Sequence, residues 1–134
     1  MNTSRLLIAA AVLVFAGAAA QAADKSEKLA KNEAKLAEML KGRTAGEPVS
    51  CIPEFHSSRV QVIEGVALVY GVGKTLYVAK PDHPESMQWD DIMVVKRFGG
   101  QLCNTDIIRT VDRMSGFTTG VVFMGKFVPY RKPD

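Results

Sequence analysis

The sequence predicts a mainly β fold with one N-terminal helix, an α+β protein whose small antiparallel sheet curls into a barrel or sandwich. The first observation is a pair of apolar runs, Val66–Tyr70 and Thr75–Ala79, rich in β-branched and aromatic residues. Glycines between them supply a tight turn, so the two runs are expected to form a hairpin. The second observation is a charged, alanine-rich segment with helical spacing ahead of them. The third is a series of short apolar runs separated by Gly, Pro and Asp.

Residues 1–22 have the three-part organisation of a secretory signal peptide. A short start with one basic residue, Arg5, precedes an unbroken apolar run from Leu6 to Ala16, and small residues follow. The run is too short to span a bilayer as a stable helix, and Ala20–Ala22 fits the A-x-A pattern that signal peptidase cleaves. An uncleaved membrane anchor is the alternative interpretation. We therefore expect a mature chain that begins near Ala23 and is periplasmic or secreted, without stable membrane insertion after cleavage.

The remaining length and charge limit the class of protein. After cleavage the chain is long enough for a single core, so residues 43–134 are expected to form one disulfide-closed, β-rich domain. The formal net charge of the whole sequence is only +3 at pH 7. A charge this small and evenly spread, in an exported chain, argues against nucleic acid as a partner.

The N-terminal helix is predicted over residues 23–42. Asp24 can cap its start, Gly42 is placed to end it, and Glu27 and Lys31 form a favourable pair four residues apart. Three leucines form its apolar stripe: Leu29, Leu36 and Leu40. Because the stripe is thin, the helix is expected to lie at the domain edge or fray. Its role is either to bind a partner or surface, or to be a solvated arm, which we favour.

Cys51 and Cys103 are expected to form a disulfide, because exported chains fold in an oxidising compartment. A bond that closes a loop of about fifty residues stabilises a fold by roughly 4 kcal/mol in the chain-entropy model. The alternative is a nucleophilic Cys51 assisted by His56, which is close in sequence. An exported free thiol tends to oxidise, and no C-x-x-C motif is present, so a structural role is predicted.

Further short strands are predicted on both sides of the hairpin. They cover Val49–Ile52, Arg59–Ile63 and Ile92–Val95, and a turn at residues 98–100 leads into Gln101–Cys103. The strand that starts at Ile92 is expected to be buried at that start. Residues 106–113 fit the spacing of either a helix or a strand, and their short length and β-rich neighbours favour the strand.

The apolar run from Val121 to Val128 is expected to be one strand interrupted near Gly125 by a bulge. Pro129 follows it and has no N–H to donate to a neighbouring strand. The sequence therefore predicts that Pro129 limits the pairing of this segment.

Three short motifs resemble a family of small exported bacterial proteins that carry a cysteine pair. They are Arg43-Thr44-Ala45-Gly46 leading to Pro48–Ile52, then Phe98–Cys103, then Phe127–Lys132. The resemblance covers nearly all of the mature chain and supports the signal peptide and the cysteine pair. The family has no established activity, so the resemblance implies no catalytic or binding residue.

The turn at Gly73-Lys74-Thr75 matches only the end of a phosphate-binding P-loop. That motif needs a glycine at position 68, where this chain has Leu68, and a helix after the threonine, where this chain has a strand-like run. A hairpin turn is the better interpretation.

The loop from Asp82 to Asp91 is the candidate binding surface. It concentrates His83, the single tryptophan Trp89 and the paired carboxylates Asp90 and Asp91. An exposed tryptophan can anchor a partner, and imidazole and carboxylate groups can ligate a metal. The spacing matches no EF-hand and no H-x-x-x-H pair, and a solvated acidic loop is the alternative. No metal ligand, cofactor or catalytic residue is therefore assigned.

The leading functional hypothesis is a non-catalytic exported protein with a binding or structural role in the cell envelope, because no coherent catalytic set is evident. Its partner would be an envelope protein or a small ligand. One alternative is an inhibitor of an envelope or extracellular hydrolase. Another is a metal-binding protein or small metal-dependent hydrolase that uses residues 82–91.

Overall fold

The computed structural model describes residues 6–88, 90–97 and 99–133, and for residues 6–20 it describes the backbone alone. The chain divides into two compact units, Met1–Lys31 and Asn32–Asp134. In the described residues no helix is long and apolar enough to cross a membrane. The helices and strands follow in the order α1 (Leu6–Leu40), β1 (Thr44–Ala45), β2 (Cys51–Pro53), α2 (Glu54–Ser57), β3 (Val60–Ile63), β4 (Ala67–Tyr70), β5 (Thr75–Ala79), β6 (Ile92–Lys96), β7 (Gln101–Cys103), β8 (Ile107–Val111), β9 (Thr118–Val122) and β10 (Val128–Arg131).

The described residues of the first unit, 6–31, are helical, and the side chains from Gln21 to Lys31 are all exposed. The predicted ion pair between Glu27 and Lys31 is confirmed, with 2.7 Å between the Lys31 ammonium nitrogen and a Glu27 carboxylate oxygen. The described helix covers Leu6–Leu40, so Asp24 lies inside it and does not cap its first turn.

The end of α1 is confirmed at the predicted glycine. Gly42 has a φ of 71°, a left-handed conformation that favours glycine. The Arg43 amide donates a 3.0 Å hydrogen bond back to the Leu40 carbonyl. The chain therefore leaves the helix at this point and enters β1.

The larger sheet has five antiparallel strands in the order β1–β10–β5–β4–β3. β4 and β5 form the predicted hairpin, in which Tyr70 lies opposite Tyr77. Gly71 and Gly73 in its turn have φ values of 93° and 78°, which other residues rarely adopt. β4 is buried along its whole length, so it has packed neighbours on both faces of the sheet.

The other strands form two smaller antiparallel sheets. One has the order β6–β8–β9, and the other pairs β2 with β7. Residues 107–111 form β8, so the strand predicted over residues 106–113 is confirmed. The mainly β, antiparallel architecture with one long helix is confirmed as well. None of the described sheets closes on itself, so the predicted barrel is not confirmed.

Two apolar cores form on opposite faces of the five-stranded sheet, because side chains alternate between the two faces along each strand. The first core joins the end of α1 to one face and contains Leu36, Met39, Ile63, Ala67, Val69, Leu76 and Val78. The second core joins the other face to the smaller sheets and contains Ile52, Leu68, Tyr70, Leu102, Ile108, Val122, Met124 and Phe127. All three sheets therefore contribute side chains to the second core.

The prediction of a single interrupted strand over residues 121–128 is wrong. β9 ends at Val122 in the three-stranded sheet, and β10 begins at Val128 in the five-stranded sheet. Gly125 lies between them, and its amide donates a 2.9 Å hydrogen bond to the Lys80 carbonyl. A Cβ on Gly125 would stand 3.2 Å from that carbonyl oxygen. The glycine thus allows a close backbone approach where the chain changes sheets.

Pro129 does not limit pairing as predicted. It lies within β10, between β1 and β5, opposite Tyr77. Its carbonyl accepts a 2.7 Å hydrogen bond from the Gly46 amide. The strand therefore keeps neighbours on both sides although Pro129 has no N–H to donate.

Candidate functional site

The loop predicted as the binding surface contains a short 3-10 turn, Pro84–Ser86. His83 is exposed, and its Nδ1 atom lies 3.4 Å from a carboxylate oxygen of Glu85, which is also exposed. The Ser86 hydroxyl donates a 2.8 Å hydrogen bond to the His83 carbonyl. Exposed pairs of this kind contribute little to stability. These contacts are local and solvent-exposed, as expected of a surface turn.

The other predicted residues of this loop lie just before β6. Asp90 and Asp91 are half-buried, and the Asp90 carbonyl accepts a 3.3 Å hydrogen bond from Nε of Arg113. Trp89 lies outside the described residues. Within the part of the chain that the structure describes, no three His, Cys, Asp or Glu side chains converge as they would around a metal ion.

The predicted disulfide is confirmed. Cys51 and Cys103 lie directly opposite each other in β2 and β7. Their sulfur atoms are bonded at 2.04 Å, and their Cα atoms are 4.0 Å apart. Both thiols are consumed in the bond, so neither is a free nucleophile.

A different surface, which the sequence analysis did not single out, is the side of the three-stranded sheet that faces away from the core. Side chains alternate between exposed and half-buried positions along β6, and between exposed and buried positions along most of β8. The core side of the sheet packs Met93, Val95 and Ile108. The opposite side of such a sheet is usually polar, but here it is largely apolar. We give the name outer face to the exposed residues on this opposite side, which are Ile92, Val94, Lys96, Ile107, Arg109, Val121 and Phe123.

The strand register makes the outer face continuous. Val94 lies opposite Arg109, and Arg109 lies opposite Val121, so the three side chains form one row across the sheet. Phe123 follows the end of β9 and is 61 % exposed. Its neighbours Val122 and Met124 both lie in the second core, so alternation places Phe123 on the opposite side. Ile92 is exposed, which corrects the prediction that β6 is buried at its start. The core covers only the other side of this strand.

The turn between β8 and β9 exposes two further apolar side chains. Met114 is 92 % exposed and Phe117 is 76 % exposed. An Asp112 carboxylate oxygen accepts hydrogen bonds from the amides of Met114 at 3.1 Å and Ser115 at 2.6 Å. The Ser115 hydroxyl donates to the same oxygen at 2.6 Å and is the main cause that holds the pKa of the Asp112 carboxyl below its ordinary value. We call Met114–Phe117 the tip.

A cleft of about 190 Å³ opens beside the edge strand β3. Met39, Arg59 and Val72 are among the residues that line it. Pockets that enclose drug-sized ligands usually exceed about 300 Å³. The cleft is therefore a weaker candidate than the outer face.

Sequence patterns gave only a weak signal for the outer face. The residues of β6 are apolar at successive positions, which a strand buried on both faces would also show. Met114 and Phe117 lie beside Ser115 and Gly116, residues typical of turns. The pattern predicts a strand and a turn, but the exposure of their apolar side chains depends on the packing of the sheets.

No protein-family model, curated protein or solved structure matches this chain. The assignment of a candidate surface therefore depends on the geometry of this chain alone.

Proposed function

We propose that this chain is an exported, non-catalytic protein of the bacterial cell envelope that binds a partner through the outer face and the tip. The observation that carries the proposal is the row formed by Val94, Arg109 and Val121, extended by Phe123. Soluble domains rarely expose contiguous apolar patches, and those that do commonly use them for interaction.

The energetics of the sheet support this role. Val94 is 50 % exposed and Val121 is 45 % exposed, although the opposite side of their sheet packs into the core. Full burial of one such side chain contributes up to about 1.5–3 kcal/mol relative to exposure. Several of them covered together can stabilise a complex. A sheet face offers contact area rather than an enclosing cavity, so it suits a macromolecule or a surface better than a small ligand.

Export is part of the proposal and has separate support. The apolar run from Leu6 to Ala16 and the A-x-A sequence at Ala20–Ala22 are typical of a signal peptide. The bond between Cys51 and Cys103 is of the kind that oxidising compartments favour. The resemblance to small exported bacterial proteins points to the same location.

The test is photo-crosslinking in the cells that produce the protein. A photoreactive amino acid replaces Val94 on the outer face, and in a control it replaces Val49, which lies between β1 and β2. Both valines are exposed, at 50 % and 37 %. We expect an adduct with an envelope component from position 94 and none from position 49.

Comparable adducts from both positions, or none from either, would contradict the proposal. The narrower alternative, an inhibitor of an envelope or extracellular hydrolase, would use the same surface. It gains support if the adduct from position 94 contains such an enzyme and the purified protein lowers that enzyme's activity.

A further inference from the structure

We infer that the outer face and the tip bind the surface of a lipid bilayer that contains anionic phospholipids. This inference rests on the proposed function and names its partner. It follows from three features of the described residues: the shape of the tip, the sign of the charges on the outer face, and the arrangement of those charges in a row of apolar side chains.

The tip presents two apolar side chains on an ordered turn. Met114 and Phe117 are 92 % and 76 % exposed, and Asp112 holds the turn through the hydrogen bonds from Met114 and Ser115. Gly116 has a φ of 71° and donates a 2.9 Å hydrogen bond to the Asp112 carbonyl. Because the turn is already ordered, burial of its apolar side chains among lipid headgroups requires little further loss of conformational freedom.

The charges on the outer face have the sign that anionic lipids attract. In β6, β8 and β9 the charged residues are Lys96 and Arg109, both basic and both exposed. Four acidic residues flank these strands: Asp90 and Asp91 precede β6 and are half-buried, Asp106 accepts a 2.8 Å hydrogen bond from the Cys103 amide, and Asp112 accepts hydrogen bonds from the tip. A basic residue near an anionic membrane surface strengthens binding by about fivefold.

The position of Arg109 favours a membrane over a second copy of this chain. In a symmetric dimer the same patch meets itself, so the basic residues of one outer face would be covered by strands that also carry only basic charges. Like charges brought together in this way oppose association. Long basic side chains can instead keep their charges at the headgroups while their stems cover apolar surface.

The experiment measures flotation of the protein with vesicles of phosphatidylcholine alone and of phosphatidylcholine with phosphatidylglycerol. The protein is purified in the form that the producing cells export, and every variant carries the same N-terminus. We expect binding to the anionic vesicles that is at least about tenfold tighter than binding to phosphatidylcholine and that weakens as salt is added.

Two sets of variants locate the binding surface. The double variant Met114→Ser, Phe117→Ser is expected to bind anionic vesicles at least about tenfold more weakly, because two apolar side chains no longer enter the interface. The double variant Lys96→Gln, Arg109→Gln is expected to lose most of the preference for anionic lipid. Phe55→Ser is the matched control, since Phe55 is 74 % exposed but lies on α2. Far-UV circular dichroism confirms that each variant is folded.

Equal binding of the wild type to both kinds of vesicle, or unchanged binding of the tip variant, would overturn the inference. A dimer in solution that Val94→Lys abolishes would overturn it as well, because the outer face would then belong to a second copy. If the protein does not bind vesicles but forms a protein adduct from position 94, the proposed function stands and the lipid is excluded as the partner. If it neither binds vesicles nor forms an adduct, the proposed function and the lipid inference are both wrong.

Discussion

The imidazole ring of His56 packs against Gly71, the residue that follows β4. A Cβ atom on Gly71 would stand 3.0 Å from Nδ1 of His56 and 3.1 Å from the Thr75 carbonyl oxygen. The same ring meets Tyr77 edge to face, with 5.1 Å between ring centroids. The short helix α2 is thus in contact with the β4–β5 hairpin through His56, and the turn has no room for a side chain at Gly71.

Gly71→Ala is expected to lower the free energy of unfolding by about 2–4 kcal/mol, because the alanine would be strained in its backbone and crowded by its neighbours. Gly73→Ala is the matched control. Gly73 also has a positive φ, of 78°, but its added Cβ would have nothing within 4 Å. A loss of only about 1–2 kcal/mol is expected there. Urea denaturation measures both, and equal losses would contradict a role for the contact with His56.

Removal of the disulfide is expected to cost about 4 kcal/mol of unfolding free energy, because the bond restricts the unfolded chain over a long loop. Cys51 and Cys103 are 52 positions apart in the sequence. The measurement compares urea denaturation of the oxidised wild type with that of a variant in which both cysteines are alanine. The wild type in reductant is the control without a sequence change. Unfolding of reduced and oxidised protein at the same urea concentration would refute the prediction.

Tyr70 is expected to make stability fall at high pH. Its ring is buried in the core that the three sheets share, and its hydroxyl donates a 3.3 Å hydrogen bond to the Met124 sulfur. Burial raises the pKa of the Tyr70 phenol above its ordinary value. Above about pH 10 the unfolded chain ionises this group while the folded chain keeps it protonated. Stability therefore decreases as pH rises, by up to about 1.4 kcal/mol per pH unit.

The variant Tyr70→Phe isolates this contribution, because phenylalanine does not ionise. Near neutral pH the free energies of unfolding of the two proteins should differ by less than about 1 kcal/mol, since a hydrogen bond from a hydroxyl to a thioether sulfur contributes little to stability. Urea midpoints are measured at about pH 8 and about pH 11. The stability of the variant relative to that of the wild type should increase between these two pH values. A difference that does not change with pH would refute the assignment.

Leu36→Ala is expected to lower the free energy of unfolding by about 2–4 kcal/mol, because a buried side chain leaves a cavity. Leu36 packs with Val69 and Val78 on the face of the sheet that α1 covers. Leu29 on the same helix is 41 % exposed, so Leu29→Ala should change stability by less than about 0.5 kcal/mol. Thermal denaturation compares the two, and similar losses would argue against specific packing of Leu36.

Local pattern was sufficient to predict the strands with strong signals. The hairpin of β4 and β5 combines β-branched and aromatic runs with glycines in the turn, and both features are contiguous in sequence. The sheet to which a strand belongs is not a local property. The run from Val121 to Val128 resembles one strand, because nothing nearby shows that Gly125 packs against the distant Lys80 carbonyl. The contact that divides this run lies far away in sequence.

The candidate site was harder to predict than the fold. The sequence predicts the loop from Asp82 to Asp91 as a binding surface because polar and aromatic side chains are concentrated there. The outer face consists instead of residue types normally assigned to a core. Val94 and Val121 would suit a strand buried on both faces, as β4 is. Only the arrangement of the three sheets leaves these valines exposed.

The last strand in sequence order, β10, lies inside the five-stranded sheet, between β5 and β1. β1 follows the long helix after only a few residues, but it can pair only once its partners Tyr130 and Arg131 have been synthesised. Until those residues emerge from the ribosome, β5 keeps an open edge and the sheet cannot be completed. For a chain exported as proposed, this late insertion would delay folding and so help to keep the polypeptide competent for translocation.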